Sequence, residues 1–173
     1  SIPIIAPSLV NHVSHLLYYL FSNLIADSKK ELLKNNEKLL QQSRINESIQ
    51  RYKAENLKNT TYPYEKEKEL INQVQKGDVR AAYATLNDLL GYVLFSQGSS
   101  LEIVKSRAIE LCSLLSRTAI ERGAPTDSIL KLNNHFLQNI QSIHTMDTLC
   151  YKLQEIVETF TESMFHYNPT KNN

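Results

Sequence analysis

From Leu9 to Ile25 the apolar side chains recur at helical spacing. Leu9, Val13, Leu16, Leu20 and Leu24 form one stripe, which Leu17, Tyr18, Tyr19, Phe21 and Ile25 widen almost to a full circle. A helix apolar around so much of its circumference must be covered on several sides. From Asp27 the circle thins to a seam: Ile25, Leu32 and Leu39 stand seven residues apart, and after a break Ile45, Ile49 and Tyr52 continue at coiled-coil spacing. No Gly or Pro interrupts residues 8–58, so the pattern predicts a single helix, capped by Ser8 and running to about Lys58. Asn35, Gln42 and Asn46 lie at or beside the seam, where polar side chains weaken pairing and fix register.

The remainder is a run of shorter amphipathic segments separated by clear stops. Residues 59–63 end the rod, and Tyr64–Lys76 is predicted as a second helix with Leu70, Ile71 and Val74 inward and a Glu65–Lys68 surface pair. Gly77 closes it and Asp78 opens a third, with Tyr83, Leu86, Leu90 and Val93 on one stripe. Gly91 inside that helix costs about 1 kcal/mol of propensity relative to Ala, and close helix packing is the expected offset. Ser99 and Glu102 make a capping box for a fourth helix, with Leu101, Val104, Ala108, Leu111 and Leu115 on one face; it is expected to be central. Gly123 and Pro125 end it, and Thr126 is expected to cap a fifth, carrying Ile129, Leu132, Phe136, Ile140 and Ile143. Thr145 caps the last, where Leu149, Leu153, Ile156, Phe160 and Met164 repeat at spacings of three and four.

The expected fold is therefore all-α: one long, coiled-coil-like N-terminal helix followed by a bundle of about five helices. The divisions are residues 1–26, the end of a truncated domain; 27–61, a linker helix; 62–167, the bundle; and 168–173, a polar tail. Residues 2–7, with two prolines, suit the end of an extended segment whose sheet nothing else in the chain supplies, which suggests a piece of something larger.

With 173 residues and 42% hydrophobic content the chain can bury a real core, and its few glycines and prolines agree with helices. The formal net charge of +1 gives no global field toward nucleic acid or membrane. Charge is uneven locally: residues 29–58 hold eight Lys/Arg against four Glu, which fits a solvated helix face and, as a weaker option, a rod lying near phosphates. Cys112 and Cys150 sit in apolar helical patterns, so core thiols and a reducing cytoplasm are expected, with no disulfide framework. No signal peptide is visible, and the greasiest run, Leu16–Phe21, is far short of the roughly 20 residues a membrane helix needs.

Candidate chemistry is sparse. His12 and His15 have a spacing that two metal ligands can use, but no third ligand lies in the same turn. His135, His144 and His166 are isolated, the glycines are scattered singly, and Glu155 and Glu158 belong to a solvent face. No catalytic residue, metal ligand or cofactor is assigned, and the chain is not expected to be an enzyme.

Three runs resemble a known family. Tyr62-Pro63-Tyr64-Glu65-Lys66-Glu67-Lys68-Glu69-Leu70, Leu86-Asn87-Asp88-Leu89-Leu90-Gly91-Tyr92-Val93-Leu94-Phe95 and Leu115-Ser116-Arg117-Thr118-Ala119-Ile120-Glu121-Arg122-Gly123-Ala124 look like the helical region before the DNA-binding domain of AraC-type transcription regulators. Leu39-Leu40-Gln41-Gln42-Ser43-Arg44-Ile45-Asn46 resembles the linker that follows a PocR-type sensory domain in such proteins. The resemblance implies a sensory domain before residue 1, of which residues 1–26 are the end, and paired helix-turn-helix motifs after residue 173. It implies a homodimer through the long helix with the seam Ile25, Leu32, Leu39, Ile45, Ile49 and Tyr52, and a sensor-packing face of Leu9, Val13, Leu16, Leu20 and Leu24. A small-molecule effector, of the diol class or related metabolites, would act through the upstream domain, and DNA would be bound only through a domain outside this chain. No ligand-binding residue can be assigned here, and no membrane partner is expected. The alternative is a helical adaptor or scaffold that binds partner helices in a groove of the bundle.

Overall fold

A computed structural model of the chain describes residues 7–55, 61–96 and 100–166, with side chains from residue 11 to residue 164 of these. It is all-α: α1 (Pro7–Ala54), α2 (Tyr64–Lys76), α3 (Val79–Ser96), α4 (Leu101–Glu121), α5 (Thr126–Ile140) and α6 (Met146–His166). The long helix and the five-helix bundle are both present. Residues 1–6 and the polar tail 168–173 lie outside the described residues, as does Ser99 of the expected capping box.

Several ends differ from expectation. α1 begins at Pro7, which places Ser8 inside the first turn; proline suits that position because its missing N–H has no partner there in any case. Thr126 is the first residue of α5, follows Pro125, and no side chain bonds the free amides. Glu102 pairs with Lys105 across one turn, 3.2 Å away. Other stops are as expected. Gly77 takes a left-handed φ of 75° and its N–H bonds the Val74 carbonyl at 3.1 Å, while Asp78 accepts the Ala81 amide at 2.9 Å. The Thr148 amide reaches Thr145 Oγ1 at 3.3 Å, and Glu65 pairs with Lys68 at 2.8 Å.

The chain divides into two compact units, Ser1–Leu39 and Leu40–Asn173. In the second, α4 touches each of α2, α3, α5 and α6, and it shares the expected central place with α6, which packs on α2, α3 and α4 and buries Leu149, Leu153, Val157 and Phe160. Leu70, Val74, Leu86, Val104, Cys112, Leu115, Ile140, Leu149, Leu153, Val157 and Phe160 form the buried centre. This unit begins before the expected boundary at residue 62, because the last part of α1 belongs to it. Gln41, Ile45, Ser48 and Tyr52 recur at intervals of three and four, and all are buried. Gly91 supplies the reason. A Cβ there would stand 2.5 Å from Ser48 Cβ and 3.2 Å from the Ile45 carbonyl oxygen, so only glycine lets α3 come this close to α1. The first unit is the remaining part of α1, residues 7–39, and its described large apolar side chains are exposed.

Candidate functional site

Three features of the surface stand out, and the first is the free part of α1. Val13, Leu16, Leu20 and Leu24 of the expected sensor-packing face are all exposed, Leu16 at 62%, as is Leu17 beside them. Leu9 lies before the residues whose side chains are described. Ile25, Leu32 and Leu39 are exposed as well, the latter two at 70% and 63%. Contiguous apolar surface on this scale marks an interaction site. The other half of the expected seam is different: Ile45 and Tyr52 are buried and Ile49 packs against them in the chain's own core. The correction has a physical cause, since the close approach at Gly91 turns that face of α1 onto α3. Of the expected seam, Ile25, Leu32 and Leu39 are the residues left exposed.

The second feature is the polar joint that holds the end of α1. Asp88 of α3 accepts hydrogen bonds from Ser48 Oγ at 3.0 Å and Tyr52 Oη at 3.2 Å, and pairs with Arg51 and Lys66. Three helices thus meet on one carboxylate whose side chain is 11% exposed. Burial pushes the Asp88 pKa up, but the hydrogen bonds from Lys66 and Ser48 and the charges of Lys66 and Arg51 outweigh it and hold the carboxyl below its usual range. Burial likewise favours neutral Lys66, and Asp88 reverses the balance, so its pKa is raised. Tyr52 is raised by burial and by the Asp88 charge. Beside the joint a cavity of about 330 Å³ is lined by Arg44, Arg51, Lys66 and Asn87, among others. Both polar ends of the Asn87 carboxamide are buried without a hydrogen-bond partner. Gln41 adds a further tie, donating from Nε2 to the Cys150 carbonyl of α6 at 2.8 Å.

The third is a groove of about 600 Å³ between α5 and α6, with Leu132, Phe136, Ile140, Ile143 and Ile156 as its apolar lining and His135 and Lys152 among its polar groups.

Neither cysteine is set up as a nucleophile. Burial pushes both thiols up to about 12, with Asp147 adding to the effect at Cys150, so thiolate is scarce at neutral pH. Cys112 donates to Asn133 Oδ1 at 3.2 Å. Among the described residues, no three His, Cys, Asp or Glu side chains gather where they could hold a metal ion, and no helix is long and apolar enough to cross a membrane. No protein-family profile, characterised protein or solved structure matches the chain.

Sequence reasoning marked the apolar positions of α1 that the structure leaves exposed. It missed the joint on Asp88, whose partners lie 40, 37, 36 and 22 residues away along the chain.

Proposed function

We propose that this chain is the dimerising and signal-relaying part of a ligand-responsive AraC-type transcription regulator, linking an upstream small-molecule sensor to a downstream helix-turn-helix domain. The observation that carries the reading is the contrast along α1. Residues 7–39 expose an apolar stripe and seam that need partners, whereas residues 40–54 are anchored in the bundle by Ile45, Tyr52 and the Asp88 joint. A helix free at one end and locked at the other suits transmission of a rotation or shift from a sensor into a packed domain. The stripe from Val13 to Leu24 would pack on the sensor, and Ile25, Leu32 and Leu39 would meet a second copy. The regulator family rests on the sequence resemblance, and the division of labour along the helix is supported by the exposure of its first part and the burial of Ile45 and Tyr52.

Sedimentation tests this directly. The chain should sediment as a dimer, and the double substitution Leu32→Ser, Leu39→Ser should convert it to monomer with the bundle still folded. An unchanged dimer mass would remove the seam. The second reading, a helical adaptor, is favoured by the groove between α5 and α6. It would be preferred if the unsubstituted chain proved monomeric and the double substitution had no effect.

A further inference from the structure

We propose that the free seam of α1 pairs with a second copy of this chain in parallel and in register. The inference rests on the dimer reading above and deepens it. A seven-residue repeat over residues 25–39 puts Ile25, Leu32 and Leu39 at one set of inner layers, and the alternating set falls on Ser28 and Asn35, three residues on, because Lys29 and Asn36, four residues on, would bury the Lys29 charge. All five inner-layer side chains are exposed, so the chain itself covers none of these layers.

Orientation decides what each layer contains. In a parallel pair in register, each residue meets its own copy. Isoleucine then packs on isoleucine and leucine on leucine, while Asn35 meets Asn35 and each carboxamide can donate to and accept from the other. In an antiparallel pair the two sets of layers face one another, so every Ile or Leu would stand opposite Ser28 or Asn35. The apolar layers would be broken and the Asn35 amide buried without a matching group. The flanking positions agree with the parallel arrangement. Leu24 would lie beside the second copy's Lys29, whose methylene stem can cover it, and Glu31 beside the second copy's Asn36, so no like charges are opposed. Register in parallel also sets the stripes from Val13 to Leu24 side by side, presenting the upstream sensors as a symmetric pair.

Single-cysteine variants Ser28→Cys and Asn35→Cys, each in the full chain, test the arrangement by mild oxidation and non-reducing electrophoresis alongside sedimentation. The native thiols are buried and do not compete. The two positions are separated by about 10 Å along the helix axis, and a disulfide needs Cα atoms within about 4.4–6.8 Å. A parallel pair in register therefore links both variants to themselves, whereas an antiparallel pair can self-link one of them at most. Near-complete linkage of both is the expected result. A dimer in which only one variant links, neither links, or linkage requires mixing the two variants overturns the parallel register and leaves the dimer intact. A monomer overturns the dimer and the register together.

Discussion

Asp88 gathers the hydroxyls of Ser48 and Tyr52 and the cations of Arg51 and Lys66, and these groups do not contribute equally. The Arg51 side chain is 53% exposed, so its pairing with Asp88 resembles a surface salt bridge, worth roughly 0.2–1 kcal/mol. Removing the carboxylate itself is more serious, because it strands two buried hydroxyls and two cations at once. Asp88→Asn should lower the unfolding free energy at neutral pH by about 1–3 kcal/mol, the exposed cations turning to water and limiting the loss. The sign of the pH dependence follows from the shifts. A carboxyl with a depressed folded-state pKa stabilises above its unfolded value of about 3.9, and that stability is lost as pH falls through the lower folded value. Lys66, raised when folded, stabilises below about 10.4 and ceases to do so as pH rises through its higher folded value. Urea unfolding should therefore show a constant gap between Asp88→Asn and the parent from about pH 5 to 9, narrowing below about pH 4. A gap that persists unchanged at pH 2 would contradict the assignment. None of this was legible in the sequence, where Tyr52 fits a heptad seam as well as it fits a core, and Asp88 is one acid between apolar neighbours. The pairing of distant groups is a property of the packed helices and leaves no local pattern.

The helices themselves were readable because each carries its own punctuation. Tyr64–Lys76 follows from Pro63 before it and Gly77 after it, and α6 from Thr145 and the buried repeat Leu149, Leu153, Ile156, Phe160 and Met164. The unbroken run of α1 was readable for the same reason, since neither Gly nor Pro occurs between Ser8 and Ala54; its expected end near Lys58 lies outside the described residues, and the described helix stops at Ala54. What could not be read is where α1 changes partners, because the change is imposed by another helix. Gly91 was recognised as a site of close packing, but a glycine does not name the surface that approaches it. The structure identifies that surface as Ser48 and the Ile45 carbonyl. Helix propensity favours Gly91→Ala by about 1 kcal/mol, while overpacking of the crossing opposes it by about 1–3 kcal/mol. At 2.5 Å from Ser48 Cβ the added methyl has no room, so the packing effect should win and the variant should unfold at lower denaturant. Adding Ser48→Gly should recover part of the loss. Two losses that simply sum would show that the two residues do not meet.

At the scale of the whole molecule, the two units draw their stability from different sources. The unit from Leu40 onward has a buried core from all six helices, including Ile45 and Tyr52 of α1, and should unfold cooperatively. Residues 7–39 have no such core: Leu16, Leu20, Phe21, Leu24, Leu32 and Leu39 are exposed, and a lone helix in water gains little from propensity. Burying a Leu or Ile side chain is worth about 1.5–3 kcal/mol, so pairing with a second copy is what would hold this part helical. Helicity should then depend on protein concentration by mass action. Far-ultraviolet circular dichroism per residue should rise as the chain is concentrated through its dimer dissociation constant and reach a plateau above it. Near-ultraviolet signals from the Tyr52, Tyr62 and Tyr92 cluster of the bundle should stay constant over the same range. Leu32→Ser, Leu39→Ser should keep the low-concentration spectrum at every concentration. Helicity that is full and independent of concentration in a monomer would mean that residues 7–39 are stable without a partner, and the exposed face would lose its role in assembly.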